Sequence, residues 1–326
     1  LCRAAYSVLL FAVLFAGVDV QNSFAAKIYP PGVTASCASA LPVPAAPSGS
    51  AGWTPIGRPV MGCSALYTTT LNGVTLIWMD SKLLSFNLYA SSLMPGGGPY
   101  FHTSPVSPSD SMNLVAAFNS GFKMGDSHGG YYIDGRSVSP LINGQASAVI
   151  SSDGSLNVGS WGTEIPMTST VVAVRQNLTL LVDNGAVNPA TSSAPYVSWG
   201  VTWPGGPTTK RSAVGVTADG AVLFGAGSSL TVAQIAQAMA AGGAVRAMSL
   251  DQNSQYPQFS AFSPSGYSPA SPANANNVVP GLEGSDRYFQ SSWNRDFFTA
   301  SALGSATGAA TGNGASAALH VHPRVH

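Results

Sequence analysis

The chain holds 326 residues, with 13 Lys and Arg against 13 Asp and Glu, so its formal net charge is zero. Charged residues are 8% of the total, against roughly 25% in an average soluble domain, and no basic block is present to displace counterions, so a nucleic-acid partner is not expected. A hydrophobic share of 45% excludes disorder of the whole chain, and the length suits one large domain or two small ones.

Arg3 precedes an apolar run, Ala4 to Val18, and a polar stretch ending Asn22-Ser23-Phe24-Ala25-Ala26. A charged n-region, an apolar h-region and small residues at Ser23 and Ala25 predict a signal peptide over residues 1–25. The run is short for a membrane span, so an uncleaved anchor is the weaker reading. The expected location is secreted or cell envelope, with no stable span after cleavage. Cys37 and Cys63 then remain in the mature chain, and an exported thiol pair usually ends as a disulfide. Closing that loop should stabilise by roughly 3–4 kcal/mol on the chain-entropy account. Two free buried thiols are the alternative. No Cys/His cluster has zinc spacing, and no metal or cofactor is expected.

Residues 26–70 read as an irregular, Pro-rich leader, and the globular pattern begins near Gly73. Leu76–Met79 and Leu83–Tyr89 read as strands around Asp80-Ser81-Lys82, Pro95–Pro108 as a loop, and Leu114–Phe118 as a buried strand. Five turn pairs follow: Asp134-Gly135, Asn143-Gly144, Asp153-Gly154, Asn184-Gly185 and Asp219-Gly220. Such pairs supply the positive φ of tight hairpins. They predict an α+β fold: a mainly antiparallel twisted β-sheet core with a few packed helices, over residues 71–299. Residues 300–326, rich in Ala, Gly, Ser and Thr and ending in a tract with His320, His322 and His326, read as a disordered tail.

A hairpin–helix–strand unit is predicted at 211–251. Ala213–Thr217 and Ala221–Phe224 form the hairpin, and Thr231 with Gln234 forms a capping box. Val232, Ile235, Ala236 and Met239 share one helix face, Gly242-Gly243 ends the helix, and Val245–Leu250 is a strand. The helix climbs ~16 Å, so it returns the chain for a strand parallel to Ala221–Phe224 and antiparallel to Ala213–Thr217. Arg211 and Asp251 therefore fall on one edge of the sheet. Val214, Val216, Met248 and Leu250 form the bulky face, expected under the helix. Arg211, Ala213, Gly215, Ala247, Ser249 and Asp251 share the other, a binding floor of small residues or a salt bridge on an exposed sheet.

Four segments carry a resemblance: Ala116-Ala117-Phe118-Asn119-Ser120-Gly121-Phe122-Lys123, Gly129-Gly130-Tyr131-Tyr132-Ile133-Asp134-Gly135, Arg211 to Gly220, and Ala247-Met248-Ser249-Leu250-Asp251. Together, from about residue 73 to 265, they resemble the phosphodiester glycosidase family, that of the uncovering enzyme, as a divergent bacterial branch. The family commonly has Asn-Gly-Gly-Phe where this chain has Asn119-Ser120-Gly121-Phe122. It has Leu-Asp-Gly-Gly-Gly-Ser where this chain has Leu250-Asp251-Gln252-Asn253-Ser254. The second departure matters because glycines allow close backbone approach to a ligand.

The resemblance implies an exported hydrolase cleaving a sugar-1-phosphodiester, with a carbohydrate or sugar-phosphate substrate from an envelope or extracellular glycan. Such a site must hold an anion and stabilise an oxocarbenium-like centre. Asp251 is carried over as the carboxylate, Arg211 as the phosphate fork and Asn119 as a hydrogen-bonding partner. Lys123, His128, Ser249 and Asn253 are the substrate-binding candidates. On the residues alone, Asn119 is equally a turn residue and Asp134 a hairpin turn. Asp80, Glu164 and Asp183 are candidate second carboxylates. Trp161, Trp199 and Trp203 could stack on sugar rings or serve as core. Gly125-Asp126-Ser127-His128-Gly129 matches the nucleophile elbow, but no helix follows it and the downstream His all lie in the tail, so an esterase is disfavoured. A glycan-binding surface protein without turnover is the rival to the hydrolase.

Overall fold

The strands follow from alternation. Residues of one parity along the hairpin at 209–230 are bulky, those of the other mostly small, and each set needs its own partner layer. The structure, a computed structural model, describes residues 37–303 except 38, 204, 254, 267 and 285. The predicted signal peptide, Ser254 and the tail from 304 onward lie outside the described residues.

In chain order the strands are β1 (Thr54–Ile56), β2 (Leu66–Leu71), β3 (Val74–Met79), β4 (Leu84–Tyr89), β5 (Leu114–Asn119) and β6 (Tyr131–Ile133). Next come β7 (Arg136–Ser139), β8 (Ala146–Ser151), β9 (Leu156–Ser160), β10 (Val171–Gln176), β11 (Leu180–Asp183) and β12 (Ala186–Val187). The last are β13 (Thr209–Thr217), β14 (Val222–Leu230), β15 (Ala244–Gln252), β16 (Phe259–Phe262), β17 (Ala275–Asn277) and β18 (Phe297–Ala302). They form an eight-stranded sheet, β1-β2-β3-β14-β13-β15-β11-β12, and two five-stranded sheets, β7-β6-β10-β8-β9 and β17-β16-β5-β18-β4. Every pairing between these strands is antiparallel, so the fold is the α+β arrangement the turn pairs predict.

Four of those five pairs close hairpins: β6–β7, β8–β9, β11–β12 and β13–β14. Asn143-Gly144 instead turns the chain between β7 and β8, which are not neighbours. The leader is less irregular than its Pro content suggests. The Thr-rich run of β2 pairs with β3 across Asn72-Gly73, with φ of 49° and 80°, and carries β1 at the sheet edge. Cys37 and Cys63 are joined in a disulfide. At the other end, β18 runs through Ala300 to Ala302, past the predicted start of the tail.

The 211–251 unit has the predicted topology. The helix Val232–Ala241 begins at the Thr231–Gln234 capping box and carries the chain from β14 over to β15, with β13 between them. Arg211 lies opposite Gln252 in the register. The expected facing is reversed, however. The helix packs Val232, Ile235, Ala236 and Met239 on the face that includes Ala213 and Ala247. Val214, Val216, Met248 and Leu250 point into the core shared with the other sheets. Size explains the reversal. A helix approaches closely over small residues, and a Cβ added at Gly225 would stand 2.7 Å from Met239 Sδ. The wider gap between sheets needs bulk, and Phe118, Phe224, Phe259 and Phe298 pack there ring against ring.

Candidate active site

Three strand ends meet at one rim of the sheets. The C-terminal end of β5 delivers Asn119, the C-terminal end of β15 delivers Asp251, and the residues just before β18 are Arg295 and Asp296. Hydrogen bonds knit them. The Asp251 N–H donates to Ser120 O at 2.8 Å. Ser212 Oγ donates to Asp251 O at 2.7 Å, and Asn119 Nδ2 donates to Ser212 Oγ at 2.9 Å. Asn119 Oδ1 accepts the Gln258 N–H at 3.0 Å. Three of the resembling segments thus converge through residues 119, 212 and 251.

The Asp251 carboxylate is 7% exposed. One oxygen pairs with the Arg295 guanidinium, and the other accepts the Gln252 N–H at 2.9 Å. Burial pushes the Asp251 carboxyl up to about 7, against the pull of Arg295 and the Gln252 N–H. Arg295 also lies over the Tyr256 ring, 4.4 Å from its centroid, and donates to Gly121 O. Behind this pair, Arg175 and Asp296 form a second one, at 2.8 Å with both side chains fully buried. Arg175 also donates to Phe122 O. A Cβ added at Gly121 would stand 3.2 Å from Arg175 Cζ, so any larger residue there would have to push the guanidinium aside.

Asp251 and Arg295 lie on the wall of a cleft of about 690 Å³ that Lys123, His128, Gln252, Asn253, Tyr256 and Trp203 also line. Of the sequence candidates, Asp251, Lys123, His128 and Asn253 meet there. Asn119 is behind it, beside a smaller recess shared with Asp251 and Arg295. Arg211 is not a cleft residue. Register shifts between Arg211 and Ala213 turn its side chain away from Asp251, and its guanidinium donates to Leu230 O, Pro207 O and Gln252 Oε1. Burial lowers its pKa to about 10. Ser249 is buried and its carbonyl accepts Asn177 Nδ2 at 2.9 Å, so its part is in the sheet and not in the cleft.

The other expectations sort similarly. Asp80 is a buried turn residue that accepts the Leu41 and Lys82 N–H groups, and Glu164 and Asp183 pair with Arg246. Asp134 sits in its hairpin and accepts the Phe101 N–H. Trp161 and Trp199 are core, whereas Trp203 is 76% exposed. Ser127 is buried, and its hydroxyl donates to Met124 O within a four-residue helix, Met124–Ser127. Among the described residues, no group of three or more His, Cys, Asp or Glu is placed to share a metal ion, and no helix is long and apolar enough to cross a membrane.

Sequence reasoning missed Arg295, Asp296 and Arg175. A usable signal existed: in a chain with so few charges, Arg175 interrupts the apolar run of β10, and Arg295-Asp296 abuts that of β18.

An α+β domain thus carries a buried carboxylate–guanidinium pair on the wall of an open cleft. Residues 112–251 match the family model described as phosphodiester glycosidase, and this match supports a glycosidase enzyme. No curated protein matches the chain. Among solved structures, the chain is similar to the zebrafish N-acetylglucosamine-1-phosphodiester alpha-N-acetylglucosaminidase catalytic domain auto-inhibited by its pro-peptide. The identity is 17% and the TM-score 0.44, over 79% of this chain and 86% of that one. A hypothetical protein from Synechocystis is 12% identical with a TM-score of 0.39, over 76% and 64% of the two chains.

Proposed function

We propose that the chain is an exported hydrolase that cleaves a sugar-1-phosphodiester in an envelope or extracellular glycan. The observation that carries this reading is the Asp251–Arg295 pair on the wall of the cleft. The Cys37–Cys63 disulfide supports an oxidising compartment.

In this reading the anomeric C–O bond breaks and the phosphomonoester leaves with the bonding electron pair. Water adds to the anomeric carbon and loses a proton, giving free sugar and phosphomonoester. The leaving group is good, so stabilising the cationic carbon matters more than protonating the departing oxygen. Asp251 supplies the negative charge for that carbon. Arg295 orients the carboxylate and favours its ionised form, and Lys123 with His128 faces the diester anion. Asn119 acts through Ser212 and the Asp251 backbone.

Purified protein is incubated with an N-acetylglucosamine-1-phosphodiester and free sugar is followed by chromatography. Release by the wild type, lost in Asp251→Ala, is the expected result. Equal release by Asp251→Ala overturns the assignment. The rival, a glycan-binding surface protein without turnover, draws on Gln252 and Asn253, whose side chains stand where the family has glycines. It predicts sugar-phosphate binding with no release.

A further inference from the structure

Trp203 is, with Val197 and Val201, one of the large exposed apolar side chains lining the cleft, and the one aromatic ring among these three. The indole is 76% exposed, and it lines the same cavity as Asp251 and Arg295. Exposed apolar side chains gathered at one cavity, rather than scattered singly, mark a ligand-binding surface. The Trp203 backbone, in contrast, is tightly held. Asn253 Oδ1 accepts the Trp203 N–H at 3.0 Å. Asn253 Nδ2 and Gln252 Nε2 both donate to Val201 O, at 3.2 and 3.0 Å. Gln252 is fixed in turn by Arg211, which donates to its Oε1. Gly200, at φ 95°, lets the segment fold down: a Cβ there would stand 2.6 Å from Phe122 and 2.7 Å from Gln252 Nε2.

We infer that Trp203 is the sugar-stacking residue of this cleft, and that Gln252 and Asn253 position it. The ligand class is a pyranose carrying an anomeric phosphate. The apolar C–H face of such a ring packs on an indole while its phosphate meets the cations near Asp251. The departure from glycine at 252 and 253 then has a use, because only side chains can tie down residues 201 and 203. Arg211 has one as well, as a positioning residue two hydrogen bonds removed from Val201. The inference rests on the hydrolase reading for its choice of ligand.

The test is calorimetric titration with α-N-acetylglucosamine-1-phosphate, alongside KM and kcat on the diester. Trp203→Ala should weaken binding about tenfold, the upper end of what one aromatic contact contributes, and raise KM more than it lowers kcat. Trp203→Phe should recover most of the loss. Gln252→Gly should weaken binding several-fold with its fold intact by circular dichroism. Unchanged affinity in Trp203→Ala, or no binding by the wild type, overturns the inference. Binding that depends on Trp203 without any sugar release leaves it standing and removes the hydrolase. Sugar release with KM indifferent to Trp203→Ala does the reverse.

Discussion

Removing Arg295 while leaving Asp251 in place should be among the costliest single changes near the site. The two groups are 5% and 7% exposed, so neither can turn to bulk water when its partner is lost. Arg295→Met keeps the length and apolar stem of the side chain but strands a buried carboxyl. Stranding one member of a buried pair costs roughly 3–5 kcal/mol. Asp251→Asn should cost less, because Arg295 retains Gly121 O and the Tyr256 ring. The double variant removes both charges together, so its loss should fall short of the summed single losses by roughly 1–3 kcal/mol. Urea unfolding followed by tryptophan fluorescence gives the four stabilities. Losses that add to within about 0.5 kcal/mol mean that the pair is not coupled, and the site as described is then wrong.

Other outcomes follow from the same geometry. Asp251 titrates near 7 in the fold and near 4 when unfolded, so between those values the native state holds the extra proton. Its contribution to stability must therefore fall as pH rises through that window. Proton uptake on folding at pH 5.5, measured by calorimetry in buffers of different ionisation enthalpy, should drop by close to one proton in Asp251→Asn. Sugar release that depends on the carboxylate should rise over the same range, and a rate flat from pH 5 to 8 contradicts that role. The disulfide spans a sequence separation of 26, which corresponds to about 3.5 kcal/mol of chain entropy, so Cys37→Ser with Cys63→Ser should lower the urea midpoint by that equivalent. Gly121→Ala places a methyl 3.2 Å from Arg175 Cζ. It should cost about 1–3 kcal/mol through overpacking, whereas Gly135→Ala, with open space around its Cβ position, should lose stability through the strain of its positive φ alone, roughly 1–2 kcal/mol.

Local chemistry made part of this molecule readable. The Thr231–Gln234 capping box, the Asp-Gly and Asn-Gly hairpins and the length of the helix at 232–241 are decided within a few residues. From them the placing of Arg211 and Asp251 at one edge of the sheet, on β13 and β15, follows by topology alone. Contacts set across the chain were not readable. Strict alternation assigned Arg211 and Asp251 to one face, yet a register shift between Arg211 and Ala213 separates them. One residue of slip reverses every side chain beyond it, so no pattern of apolar residues can carry a facing argument through a bulge. The cation that does meet Asp251 comes from residue 295, 44 positions away, brought there because β18 pairs with β5. Which face the helix covers was likewise a question of volume and not of polarity. Both faces are apolar enough to bury, and only the gap each must fill decides between them. Buried charges are the one long-range feature a sequence can flag. A buried Arg in or beside a strand must find an acceptor, and Arg175, Arg211 and Arg295 all do so.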